Sequence, residues 1–146
     1  MGELETNTKS SAEIYFDDAQ VAVITLKSWA RRPGIKEIDE FAIDVRDELL
    51  GLAARRAWDL REWHDTRDDK AVAASWDRLA SLFQVDNRSK IRRVVLTRSD
   101  QLHAVPTEWK GDARSYIHAP HLAQRLDVSD AVFGSSIRRA MELTVS

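Results

Sequence analysis

Two adjacent arginines stand in a segment whose composition suits the binding of an anion. Arg31 and Arg32 lie within residues 27–34, and the segment ends in a Pro-Gly pair that is typical of a loop. Guanidinium groups bind phosphate oxygens through paired N–H donors, so this loop could hold the phosphate of a nucleotide. The alternative is a solvated connection between two elements, because exposed charges are normal on protein surfaces.

Histidines near other polar residues form the second group with chemical capacity. His64 lies close in sequence to Asp68 and Asp69. His118 is followed three residues later by His121. Both spacings are weak patterns for a metal site, which needs three or four converging ligands. We therefore expect no metal, and we predict a polar loop at His64 with Asp68 or Asp69 capping the helix that follows.

A short apolar run, residues 91–97 (IRRVVLT), leads into a polar segment that carries Pro106. Val94, Val95 and Leu96 are consecutive and apolar, a pattern that favours a strand buried on both faces. We expect a turn over residues 98–109, at the carboxyl end of this strand, where α/β folds place ligands. We therefore predict that this turn supplies the first half of any functional site.

The elements that would position these groups indicate an α/β fold. Residues 12–16 and 21–26 predict an antiparallel hairpin of apolar strands. Three helices are predicted from apolar residues that recur along one face: Ile38, Phe41, Val45, Leu49 and Leu52; Val72, Trp76, Leu79 and Phe83; Val132, Phe133, Ile137, Ala140 and Met141. A strand pair, then helices, then the strand at 91–97 implies a βαβ crossover with at least partly parallel pairing.

Length and charge limit the classes of partner. The chain has 146 residues, of which 43% are hydrophobic, enough for one domain with a core over residues 12–146. Residues 1–11 are polar and predicted to be flexible. A net charge of −2 gives no reason to expect nucleic-acid binding. The sequence shows no apolar stretch long enough for a membrane helix and no signal-peptide pattern, so we expect a cytoplasmic protein. The absence of cysteine excludes thiolate chemistry.

Residues 12–110 resemble the N-terminal half of the crotonase (enoyl-CoA hydratase/isomerase) superfamily. VAVITL at 21–26 is similar to the second strand of that family, and IRRVVLT at 91–97 is similar to its VRVVVLTG strand. QLHAVPTEWK at 101–110 falls where the family has a turn of the AFCAGADLK kind. The resemblance implies a small mixed or parallel sheet with covering helices. It also implies a helical insertion at about residues 53–71, because the two strands are further apart here than in the family.

The resemblance also implies roles for particular residues. Val105 or Thr107 would supply a backbone N–H to an oxyanion hole for a coenzyme A thioester. His103 and Glu108 would be polar groups near that thioester. The two adjacent arginines would contact the CoA phosphates. No intrinsic cofactor is implied, and the acyl-CoA would be the substrate.

Two departures from the family shape the functional expectation. Pro106 stands where the family turn has glycine, and Ser146 ends the chain before the second oxyanion glycine and the catalytic carboxylates of the family. We therefore expect one half of an acyl-CoA-processing assembly, with hydratase, isomerase or hydrolase activity only when a partner supplies the acid and base. Such a fragment would expose apolar surface, so a protein partner or homo-oligomer is expected.

Two binding hypotheses compete with the enzyme. The first is a non-catalytic α/β interaction module, either a degenerate crotonase scaffold or a domain of the STAS kind. Residues 137–143 are similar to the last helix of STAS domains, although the DLS…DSSG segment of those domains has no counterpart. The second is a stand-alone binding or immunity protein. Affinity for acyl-CoA would separate the enzyme from both.

Overall fold

Two apolar strands near the start of the chain form the middle of the sheet. The computed structural model describes residues 10–30, 32–83, 91–98, 102–110, 115–118, 124–125 and 132–144. Strand β1 (Ser10–Phe16) pairs antiparallel with β2 (Gln20–Trp29). Asp17 closes the turn between them, since its Oδ1 accepts hydrogen bonds of 2.8 Å from the N–H groups of Ala19 and Gln20. The predicted hairpin is confirmed.

The remaining elements complete an eight-stranded sheet and three helices in the described part of the chain. They are β3 (Arg32–Ala42), α1 (Asp47–Asp59), β4 (Glu62–His64), α2 (Asp69–Phe83), β5 (Arg92–Arg98), β6 (Leu102–Lys110), β7 (Ser115–His118), β8 (Gln124–Arg125) and α3 (Val132–Glu142). The strand order is β3-β2-β1-β5-β6-β7, with β4 beside β2 and β8 beside β6. Only the short β4–β2 pairing is parallel among these. The mixed α/β class is confirmed, with a sheet that is mainly antiparallel.

Strand β5 is buried as predicted but pairs in the opposite sense. Val94, Val95 and Leu96 are fully buried. β5 lies antiparallel to β1, with Glu13 opposite Val95, so the predicted parallel crossover is wrong. Two helices and β4 separate β3 from β5, and this connection is not the single-helix crossover that makes neighbouring strands parallel.

The segment predicted as a basic loop and the start of a helix is instead a strand. β2 continues to Trp29, Ala30 turns the chain with a positive φ of 49°, and β3 follows. A bulge shifts the β2–β3 register between Thr25 and Leu26, so that Ile35 and Ile38 both pack on the side of α2 although they are three residues apart. The helical stripe predicted from Ile38 is wrong, because Ile38 and Phe41 lie in this strand. Leu49 and Leu52, its later members, are exposed on α1.

Two further expectations differ from the structure. The turn predicted over residues 98–109 is wrong, because β6 occupies 102–110 and pairs along β5 with Val95 opposite Val105. Residues 53–71, expected as a helical insertion, hold the end of α1, the strand β4 and the first residues of α2. In the described part of the chain, no helix has the length and apolar character needed to cross a bilayer.

The helices cover the sheet on both faces. We call the face that carries Ile14, Val23 and Leu96 the first face; α1 and α3 pack against it. We call the face that carries Tyr15 and Ile24 the second face; α2 packs there over β2 and β3. The predicted apolar stripes of α2 and α3 are confirmed, since these members are buried: Val72, Leu79, Phe83, Ile137, Ala140 and Met141.

Helix α3 is fastened to the segment that leads into α1. Arg138 donates from Nε to Asp47 Oδ1 at 3.1 Å, from Nη1 to the carbonyl oxygen of Ile43 at 2.6 Å, and from Nη2 to that of Val45. Gly134 lies so close to Asp47 that a Cβ atom added to it would be 1.8 Å from the Asp47 carbonyl oxygen. The close contact and the arginine together fix how the two helices meet.

Candidate functional site

The four residues predicted near a thioester all lie on β6. In the backbone register His103 is opposite Thr97 of β5, and Glu108 is opposite Ile117 of β7. The Thr107 side chain is buried, and its Oγ1 donates a 2.6 Å hydrogen bond to the carbonyl oxygen of Arg93. The structure therefore gathers these residues on one paired strand rather than at the turn where an oxyanion hole was expected.

The residues predicted to bind phosphate or metal are in other settings. Arg31 is outside the described residues, and so is His121. Arg32 forms a 2.7 Å ion pair with Asp69 that joins the start of β3 to the start of α2, with both side chains about half exposed. Among the described residues, no three histidine, aspartate or glutamate side chains come together as a metal site would require. Asp68 caps α2 as predicted, accepting from the Ala71 N–H at 3.0 Å.

A group of aromatic and cationic side chains, missed in the sequence, surrounds β4. Lys27 and Trp29 lie opposite Glu62 and His64 in the parallel pairing of β2 with β4. The Trp29 and His64 rings stack with centroids 5.9 Å apart and planes 19° apart, and Lys27 Nζ lies 5.0 Å from the Trp29 centroid. Trp29 also covers Gly34, where an added Cβ would lie 2.5 Å from Trp29 Cζ3. Glycine at this position thus leaves the space that the Trp29 ring occupies.

The other side of β4 carries a second cation–aromatic pair. The Arg61 Cζ lies 3.9 Å from the ring centroid of Trp63, whose residue surface is 52% exposed. The Nε of Arg61 is buried and has no hydrogen-bond partner within the described part of the chain. Burial lowers the pKa of Arg61 to about 10, and the charge of Glu13 opposes that change. We call Lys27, Trp29, Arg61, Trp63 and His64 the β4 cluster.

A buried polar network lies on the second face beside Arg61. Glu13 is only 5% exposed. Its Oε1 accepts a 2.7 Å hydrogen bond from the Tyr15 hydroxyl and lies 3.4 Å from Arg93 Nη1. Burial, followed by the charge of Glu13, raises the pKa of Tyr15 well above its ordinary value. The network holds one carboxylate on the central strand in a fixed position, and the Tyr15 ring also lies edge-to-face with Trp76 of α2, with centroids 6.2 Å apart.

The raised pKa of Tyr15 predicts that the chain loses stability in alkali. The folded state holds the phenol proton more tightly than the unfolded state does, so this contribution is present below about pH 10 and is lost as the pH rises through the raised folded pKa. Urea denaturation between about pH 8 and about pH 11 measures the loss. Tyr15→Phe, which cannot ionise, should lose less stability across that range; equal losses in both proteins would contradict the assignment.

Solved structures share this fold. The chain superimposes on a protein of unknown function from Neisseria meningitidis with a TM-score of 0.72 and 12% identity, over 91% of this chain and 93% of that one. It also superimposes on a chain of a CdiA-CT/CdiI toxin and immunity complex from Yersinia pseudotuberculosis, with a TM-score of 0.71 and 13% identity, over 91% of this chain and 95% of that one. No protein-family model and no curated protein matches the chain. At these identities the likeness establishes the fold.

Proposed function

We propose that this chain is a non-catalytic protein-binding module, and that its partner is a toxin domain which it holds inactive. The observation that carries the proposal is the β4 cluster, a set of partly exposed Trp, Arg, Lys and His side chains on β2, on β4 and on the residue before β4. Tryptophan and arginine are the residues that most often dominate binding energy at protein interfaces. The likeness to a chain of a toxin and immunity complex supports a toxin as the class of partner.

The position of the cluster supports binding rather than catalysis. Lys27, Trp29, Trp63 and His64 stand on paired strands, so their backbone is fixed before any partner arrives and less conformational entropy is lost on association. Trp63 exposes half of its surface although it is a large apolar residue. Covering such a residue with a partner removes apolar surface from water and so lowers the free energy of the complex.

The acyl-CoA activity implied by the crotonase resemblance stays a prediction. Among the described contacts, none favours it over protein binding. The backbone of Thr107 lies in the β6–β7 ladder opposite His118, and Arg32 is engaged with Asp69. A bound toxin needs none of these groups to be free.

Co-expression with the product of the neighbouring gene tests the proposed function. We expect that protein to arrest growth when expressed alone, this chain to restore growth, and native mass spectrometry to show a stoichiometric complex. Trp63→Ala should weaken the complex by about 30-fold or more, the effect of losing an interface residue worth at least about 2 kcal/mol. Leu52, which is 65% exposed on α1, provides the matched control, and Leu52→Ala should leave affinity unchanged.

Two results would overturn the proposed function. One is a chain that neither binds the neighbouring product nor relieves growth arrest. The other is a complex that Trp63→Ala and Leu52→Ala affect equally, since the β4 cluster would then not be the binding surface.

A further inference from the structure

We propose that the outer face of α1 is the interface of a weak homodimer, in which the α1 helices of two copies of this chain pack antiparallel across a two-fold axis near Leu52. Dimers of this symmetry are the commonest homo-oligomers, and their interface joins one surface patch to the same patch of a second copy. The inference goes beyond the proposed function, because it concerns a different surface and needs no toxin.

Helix α1 turns two leucines to solvent and its alanines to the core. Leu49 is 40% exposed and Leu52 is 65% exposed. Leu50 is buried in the core, and so are three alanines of the same helix: Ala53, Ala54 and Ala57. Residues three apart are neighbours on a helix surface, so Leu49 and Leu52 form one apolar patch. A partner that covers this patch removes it from water, which favours association.

Charged residues of opposite sign lie at the two ends of the patch. Glu48 precedes Leu52 by about one helical turn, Arg55 follows it by about one turn, and both are exposed. In an antiparallel pair the start of each helix lies beside the end of the other, so Glu48 of each copy lies beside Arg55 of the other copy. Both contacts are then attractive. The midpoint between Glu48 and Arg55 falls beside Leu52, so the two copies of that leucine meet at the axis.

The charge pattern favours a second copy in the antiparallel direction over other occupants of the patch. A parallel pair would place Glu48 beside Glu48 and Arg55 beside Arg55, and like charges repel. A membrane surface attracts helices whose polar face is rich in lysine and arginine, whereas this face carries both signs of charge. The patch is thus complementary to itself when it is turned through half a rotation.

The size of the patch indicates a weak association. Helix α1 has 13 residues and is therefore about 20 Å long. A single pair of such helices buries less than the about 1,200–2,000 Å² of stable specific complexes. We expect a dissociation constant of roughly 10 µM or more. At nanomolar concentration the chain is then a monomer, so Leu52→Ala remains a control for toxin affinity.

Sedimentation analysis of the free chain over a range of concentrations tests the dimer. We expect the wild type to change from monomer towards dimer between about 1 µM and about 1 mM. Leu52→Ala should raise the dissociation constant by about tenfold or more, since both copies lose the side chain at the axis. Asp77→Arg, which reverses an exposed charge on α2, is the matched control and should leave the constant unchanged.

Charge reversal tests the antiparallel direction. Glu48→Arg and Arg55→Glu should each raise the dissociation constant by about tenfold, because each homodimer then holds two like-charge contacts. An equimolar mixture of the two variants should form a heterodimer at least as tight as the wild-type dimer, because each contact then joins opposite charges. Native mass spectrometry identifies the heterodimer by its mass. Recovery in the mixture also shows that both variants are folded.

Three results would overturn the inference. One is a wild-type chain that stays monomeric up to about 1 mM. Another is a mixture of the two charge variants that associates no better than either variant alone. The third is a dimer that Trp63→Ala weakens and Leu52→Ala does not, since the β4 cluster would then hold the two copies together. None of these results decides whether the chain binds a toxin, so the proposed function is tested separately.

Discussion

Gly134→Ala is expected to lower the free energy of unfolding by about 3 kcal/mol, as severe overpacking does. An added Cβ would lie 1.8 Å from the carbonyl oxygen of Asp47 and 2.6 Å from its carbonyl carbon. Both atoms belong to backbone, so relief requires α3 to move away from α1. Arg138 opposes that movement, because its guanidinium is bonded to Asp47 and to the carbonyl groups of Ile43 and Val45.

The direction of this effect distinguishes packing from helix propensity. Within an exposed helix, alanine is favoured over glycine by about 1 kcal/mol, which is the opposite sign. Ser135→Ala, one residue along the same helix, removes only an exposed 3.3 Å hydrogen bond from the Ser135 hydroxyl to Asp47 Oδ2 and should lower stability by no more than about 1 kcal/mol. Urea denaturation of both variants measures the difference. A Gly134→Ala protein as stable as the wild type would mean that the two helices do not meet as described.

Glu13→Ala is expected to cost about 3–5 kcal/mol, the range for removing one partner of a buried ion pair. The carboxylate is 5% exposed, accepts from Tyr15 and lies against Arg93. Its loss leaves the phenol hydroxyl without this acceptor and removes the anion that opposes the desolvation of Arg61. Burial of charge without compensation is the main source of the cost.

Two further variants divide that cost into its parts. Glu13→Gln keeps an oxygen that can accept from Tyr15 but carries no charge, so its loss of stability measures the electrostatic part alone. Glu40→Ala removes an exposed glutamate from β3 and should change stability by no more than about 0.5 kcal/mol. If chemical denaturation gives Glu13→Ala and Glu40→Ala the same midpoint, the buried network contributes nothing to folding.

Local sequence patterns predicted two kinds of element. One kind pairs with a partner close in sequence, and the other shows a regular apolar spacing over many residues. The β1–β2 hairpin has a short turn set by Asp17, and α2 shows its apolar stripe over four turns, with Asp68 at its start. The final helix is equally regular. In each case one face of the element is buried, and the apolar residues recur in the sequence at the positions that lie on that face.

Other features depend on contacts that the sequence pattern does not record. The helical spacing that begins at Ile38 and Phe41 runs from the end of β3 into α1, so it joins residues of a strand with residues of a helix. Strand β4 is three residues long, too short to show any periodicity, and its partners Lys27 and Trp29 come more than thirty residues earlier. The candidate site could therefore not be recognised as a unit from the sequence, which indicated only His64 as a polar residue of a loop.

The strand order has a consequence for synthesis on the ribosome. β1 lies at the centre of the sheet, and Arg93 of its neighbour β5 follows Glu13 by 80 residues. At about 5–20 residues per second, roughly 4–16 s separate the emergence of the two strands. During that interval β5 does not yet exist, so the backbone N–H and C=O groups on the β1 edge that faces it lack this partner. That edge can then pair with a strand of another nascent chain. Translation speed over residues 17–92 thus sets how long the central strand is vulnerable to misassembly.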